Sequence, residues 1–168
     1  MFNTISEKWK EVAKMNDYRM DAASTVFEGR VVVSGGCNAN GLLRSVEAYD
    51  HVADKWSYMP SLIHGSCDHN MSAVSNKLYA LGCGFNSDII EVYDTFCKKF
   101  FVVSKLPKFI DCFYHTSITL GRKILVFRNE VTKVAIYDVD KNEWLEESFE
   151  VIKNISNFQC LKIPIVKL

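Results

Sequence analysis

The feature that most constrains this chain is an internal repeat. An aromatic residue followed by Asp or Asn recurs four times, each time with a second aromatic seven residues after the first. The copies are Phe2-Asn3 with Trp9, Tyr49-Asp50 with Trp56, Tyr93-Asp94 with Phe100, and Tyr137-Asp138 with Trp144. Both aromatics advance in the same steps, 47, 44 and 44 residues. A period in that range means one supersecondary unit stacked repeatedly, each burying the hydrophobic face of its neighbour.

Other features keep step with the aromatics. A β-rich run ends in glycine at Val31-Val32-Val33-Ser34-Gly35-Gly36 and again at Leu78-Tyr79-Ala80-Leu81-Gly82-Cys83. A third run, Ile124-Leu125-Val126-Phe127, continues into Arg128-Asn129 in place of the glycines. A polar turn precedes each run: Glu28-Gly29-Arg30, Ser75-Asn76-Lys77 and Gly121-Arg122-Lys123. A short strand precedes each tyrosine: Val46-Glu47-Ala48, Ile90-Glu91-Val92 and Val134-Ala135-Ile136, the last with Ala where the others have Glu. Short apolar or alternating runs bounded by Gly, Asn and Asp predict strands, and no stretch combines helical period with caps at both ends. Each unit therefore reads as four strands: a polar, small inner strand such as Ala22 to Phe27, the glycine-ended run, the strand ending at Tyr-Asp, and an outer strand with the second aromatic. Four-stranded units of this length are the blades of an all-β propeller.

The combination of double glycine, Val-Glu-x-Tyr-Asp and Trp resembles the kelch repeat, over nearly the whole chain. The sequence looks most like the propeller region of kelch-like proteins, intracellular adaptors that carry a BTB and BACK region ahead of the propeller. The resemblance implies a single kelch domain over 1–168: the end of a preceding blade in 1–15, blades at 16–59, 60–106 and 107–150, and a closing strand in 151–168, around Phe158 to Lys162. That is a partial propeller of about three four-stranded antiparallel blades plus terminal strands, its ring not closed. The expectation is a C-terminal piece of a longer adaptor, with open blade faces that invite self-association.

Most motif residues are read as scaffold. Gly35, Gly36 and Gly82 let the chain leave the sheet sharply. Tyr49, Tyr93 and Tyr137, with Trp56, Phe100 and Trp144, are expected to fill the layers between blades, so that Trp56→Ala would cost about 3–5 kcal/mol. Asp50, Asp94 and Asp138 begin the turn into the last strand.

Charge excludes several functions. Lys+Arg and Asp+Glu are both 20, without the basic excess of a nucleic-acid binder or of a polybasic membrane surface. No apolar run reaches the roughly 18 residues of a membrane span, and Met1 to Lys10 has no signal-peptide core. The six cysteines, at 37, 67, 83, 97, 112 and 160, form no C-x-x-C pair, which predicts reduced thiols in a cytoplasmic or cytoskeleton-associated protein. His64-Gly65-Ser66-Cys67-Asp68-His69 is the one cluster of metal-ligand residue types. It falls on a loop running into a strand, where alternate residues point apart, so no metal is expected. Gly-x-Ser-x-Gly and a phosphate-binding glycine loop are both absent. The chain is read as a non-enzyme without cofactor; an enzyme of kelch fold, as known among copper oxidases and sugar-acid isomerases, is the remote alternative.

In kelch-like adaptors partners dock on one face of the ring, on loops joining the second and third strands and on those joining one blade to the next. The matching loops here are Cys37 to Ser45, Phe85 to Asp88 and Arg128 to Thr132, and Asn16 to Arg19, His64 to Asp68 and Phe109 to Cys112. Arg19 stands at the family's usual arginine position before a blade; Ser66 and Ile110 hold that place in the next two. The candidate partner-binding residues are Arg19, Asn38, Asn40, Arg44, Ser66, Asn86 and Arg128, since Arg and Asn pair with peptide backbone and carboxylates. The implied function is substrate recognition for a cullin-type ubiquitin ligase adaptor, whose cullin-contacting BTB region is not among these residues. The alternative is an actin-binding cytoskeletal protein.

Overall fold

The computed structural model describes residues 1–84, 88–108, 110, 115–128 and 134–145. Among them there are strands and turns but no helix. A two-stranded ribbon, β1 (Phe2–Asn3) and β2 (Lys8–Trp9), comes first. The first blade is β3 (Ala23–Phe27), β4 (Arg30–Ser34), β7 (Val46–Asp50) and β8 (Lys55–Met59); a second ribbon, β5 (Cys37–Asn38) and β6 (Gly41–Leu42), is inserted between β4 and β7. The second blade is β9 (Asn70–Val74), β10 (Lys77–Cys83), β11 (Ile89–Asp94) and β12 (Lys99–Lys105). The third is β13 (His115–Leu120), β14 (Lys123–Arg128), β15 (Val134–Asp138) and β16 (Glu143–Trp144). Each blade is an antiparallel meander in chain order, and among the described residues no sheet closes on itself.

Strand periodicity builds the interfaces. Successive side chains point to opposite faces of a sheet. On β10, Leu78 and Ala80 enter the core shared with the first blade, beside Phe27, Val32 and Ala48. Tyr79 and Leu81 enter the core shared with the third, beside Ile124, Val126 and Tyr137. A register shift between Leu81 and Cys83 skips Gly82 and returns Cys83 to the first-blade side. This explains why β10 is apolar throughout rather than alternating: both of its faces are buried. The inner strands meet through polar contacts. Asn70 donates to the carbonyl of His115 at 2.5 Å, and Ser72 Oγ lies 2.9 Å from Ser117 Oγ.

The Tyr-Asp motif is a turn device used identically in every unit. One side-chain oxygen of Asn3, Asp50, Asp94 and Asp138 accepts the backbone N–H groups two and three residues on. The residue after that, Glu7, Asp54, Lys98 or Asn142, takes a positive φ of 47–58°. The paired aromatics stack within each blade, Tyr49 on Trp56 with ring centroids 5.1 Å apart and Tyr93 on Phe100 at 5.4 Å.

Trp56 departs from the sequence expectation. Phe100 is buried between blades, but Trp56 and Trp144 are only half-buried. Trp56 lies on the face of the first blade turned away from the second. Instead of a neighbouring sheet it meets the preceding chain segment, its Nε1 donating to Ala13 O at 2.9 Å. Val31, on the same face, is 43 % exposed, whereas its counterpart Leu78 is fully buried.

Candidate protein-binding face

At one end of the sheets emerge the β4–β7 connection and the segments leading into β3 and β9. Each lead-in segment is held by a buried carboxylate. Glu47 on β7 accepts the backbone N–H groups of Asn16 and Asp17 at 2.7 and 3.1 Å, the Asn16 amide at 2.7 Å, and Arg19 Nη2 at 2.6 Å. Glu91, its counterpart on β11, accepts the N–H groups of Ile63 and His64 at 2.7 and 2.9 Å, with His64 Nδ1 2.8 Å away. Burial alone would raise the Glu47 pKa; the hydrogen bonds from Asn16, Arg19 and Asp17 outweigh it and hold the carboxyl below its ordinary value. The third blade has Ala135 at this position.

The double glycine accommodates close approach by these segments. A Cβ at Gly36 (φ 86°) would lie 2.4 Å from the Met20 carbonyl oxygen. One at Gly35 would lie 2.4 Å from Ser66 O and 2.7 Å from His69 Cε1. His69 is buried there with its Nε2 2.7 Å from Ser34 Oγ, and burial, then the neighbouring His115, pushes its pKa down to about 4. His115 occupies the same place one blade on, its Nε2 3.2 Å from Leu81 O, and burial lowers its pKa too.

The predicted contact residues separate into two groups. Arg19 and Ser66 lie beneath the surface. Arg19 is buried, donating to Gly35 O, Ser45 O, Ser45 Oγ and Glu47. Ser66 donates to Gly82 O at 3.2 Å, the counterpart of the Gly35 carbonyl that Arg19 holds. Asn38, Asn40 and Arg44 are at the surface. Asn38 Oδ1 accepts the Asn40 N–H and its amide donates to Tyr18 O, so its side chain shapes the β5–β6 ribbon. Arg44 is exposed, with its Nε donating to Leu62 O at 2.8 Å. Asn86 lies outside the described residues, as do 85–87 and 129–133 of the two other loops; Arg128 ends β14, paired with His115. Sequence reasoning passed over Tyr18, Met20 and Leu42, which are exposed at this end. The alternation of Tyr18 and Met20 about Arg19 was the available signal.

His64 and His69 turn to different partners, and among the described residues no three His, Cys, Asp or Glu side chains converge as metal ligands. Burial pushes the Cys83 thiol well up, away from the thiolate form a redox sensor needs. No described helix is long and apolar enough to cross a membrane.

The family model of the Kelch motif matches residues 18–63, which span the first blade and the segments flanking it. Residues 18–63 carry a kelch motif. Kelch-like protein 41a of Danio rerio is 38 % identical over 80 residues, covering 48 % of this chain and 13 % of that protein. Kelch-like protein 35 of Mus musculus is 25 % identical over 150 residues, 87 % of this chain and 26 % of that protein. Kelch-like protein 23 of Homo sapiens is 23 % identical over 154 residues, again 87 % of this chain and 27 % of the relative. The chain thus spans about a quarter or less of these relatives. Among solved structures, that of YjhT superposes with a TM-score of 0.69 at 15 % identity, over 89 % of this chain and 57 % of the other. That similarity is one of fold.

Proposed function

We propose that this chain is a protein-binding kelch module whose role is to hold the substrate of a cullin-type ubiquitin ligase adaptor. The observation that carries the reading is the loop end of the blades, where segments clamped by Glu47 and Glu91 present exposed side chains on a rigid support. Loops fixed in this way lose little entropy on binding. Asn40 and Arg44 supply polar contacts from the first blade, and Asn86 and Arg128 are the candidates at the corresponding sequence positions of the next two repeats. Arg19, Ser66 and Asn38 act indirectly, by fixing the loops. The similarity to kelch-like proteins supports the adaptor role. The BTB region that would engage a cullin is not among these 168 residues; expressed by themselves, these residues would hold a target without recruiting the ligase. We assign it no catalytic activity and a cytoplasmic location.

The test is overexpression of the chain in cells, with quantitative proteomics of captured proteins. Under this reading captured proteins lose polyubiquitin and lengthen in half-life, because the module competes with a complete adaptor. Unchanged turnover of every captured protein would remove the ligase role, and pelleting with F-actin above control would point to the cytoskeletal alternative.

A further inference from the structure

We propose that a row of apolar side chains on the loop end of the first blade, Met20, Cys37 and Leu42 with Tyr18 beside them, docks a partner segment presenting a large apolar residue next to a lysine or arginine. This deepens the protein-binding reading above and rests on it.

The row is a consequence of register. Met20 and Cys37 form an antiparallel bridge, with backbone hydrogen bonds of 2.9 Å in both directions, and Cys37 pairs with Leu42 across the β5–β6 ribbon. Residues directly opposite on antiparallel strands put their side chains on the same face. Three adjacent strands therefore align three apolar side chains. Tyr18, two residues before Met20, is exposed as Met20 is, whereas Arg19 between them turns inward and is buried. Tyr18 is 75 %, Met20 51 % and Leu42 48 % exposed, with Cys37 half-buried among them. Beside Leu42 the wall is bare backbone: a Cβ at Gly65 would lie 3.1 Å from both Leu42 Cβ and Leu42 O. Isolated exposed apolar residues are ordinary, but contiguous ones mark docking sites.

Charge selects the occupant. Asp21 follows Met20 directly, and Asp68 is tied to it by a hydrogen bond from its N–H to Asp21 O at 3.0 Å. Both are exposed, and among the described residues neither is paired with a cation. They lie on the Met20 and Cys37 side of the row: the Cys67 thiol is raised by burial, then by Asp68, Cys37 and Asp21. Arg44, two residues past Leu42, is anchored to Leu62 O at the Leu42 end. With Arg19 withdrawn into the blade, the charge beside Met20 is negative, and it complements a basic neighbour to the apolar anchor.

The test is selection of a phage-displayed random peptide library on the immobilised full chain. Affinities of the synthetic consensus peptide are then measured for the wild type and for Met20→Ser, Leu42→Ser, Asp68→Asn and Phe96→Ser, the last at the opposite end of the sheets. We expect a consensus with a large apolar residue adjacent to Lys or Arg. Its affinity should fall about tenfold or more with Met20→Ser or Leu42→Ser. It should fall roughly threefold with Asp68→Asn or raised salt, and hold with Phe96→Ser. All four positions are exposed, and matching thermal melts verify folding; should Leu42→Ser misfold, Met20→Ser and the salt dependence still decide. An acidic consensus, or indifference to Met20→Ser and Leu42→Ser, overturns this inference and leaves the protein-binding reading standing. Recovery of no peptide, together with no captured protein in cells, removes both.

Discussion

At the residue scale, buried polar groups do more of the organising than their number suggests. Glu47 satisfies two backbone N–H groups and a guanidinium from a segment about 30 residues away in sequence. Removing the carboxylate would leave Arg19 buried without its partner, so Glu47→Ala should cost about 3–5 kcal/mol in urea melts. A loss within about 0.5 kcal/mol, typical of surface sites, would mean that the segment is held by other contacts. Acid should act on the fold in two stages. The His69 pKa is lowered from 6.5 to about 4, so between those pH values the unfolded chain binds a proton that the folded one does not. Stability is then lost as pH falls from about 6.5 towards 4, by on the order of 3 kcal/mol. The lowered Glu47 pKa adds a second loss below the ordinary carboxylate range, where that group must be protonated. His69→Gln should shrink the first stage in melts across pH, leaving the part that the buried His115 contributes, and leave the second in place.

At the scale of elements, the same motif position carries different weight in different blades. Phe100 and Trp56 occupy equivalent places on β12 and β8, each stacked on its tyrosine. Phe100 is enclosed between two sheets, and Phe100→Ala should cost about 3–5 kcal/mol. Trp56 faces a single segment of chain, so Trp56→Ala should cost about 2 kcal/mol, from one hydrogen bond and partial burial. Denaturant melts of the pair give the order; equal losses would show that the outer face of the first blade is covered as fully as the inner one. The glycines also have a more specific use than turning. Gly35 and Gly36 meet lead-in segments of two different blades, and Gly36→Ala should destabilise by about 2–3 kcal/mol through the clash with Met20 O and its positive φ.

For the whole molecule, stability should follow position in the stack, because each blade is buried by its neighbours. The second blade is covered on both faces, while Val26 and Val31 of the first are open and β1 and β2 are exposed throughout. Hydrogen exchange should therefore be slowest on β10 and β11 and fastest in the β1–β2 ribbon. Uniform protection across the three blades would instead indicate one cooperative unit.

The sequence by itself determined the repeat, the four-strand unit and the turn chemistry, because these depend on local signals. Period-two patterning sets which face of a strand is buried, and an Asp or Asn side chain caps its own turn within three residues. The kelch resemblance followed from the same spaced elements. What only the tertiary structure decided was the fate of individual side chains. Arg19 reads in sequence as a presented cation, but three acceptor residues brought in from 16 to 28 positions away draw it inward. Trp56 reads as a core aromatic, but its burial depends on what lies across the blade face. Met20, Cys37 and Leu42 carry no motif at all; an antiparallel register between separate segments places them in one row. Local patterning specifies the blade, whereas exposure and partnership depend on which distant residues the stacking brings together.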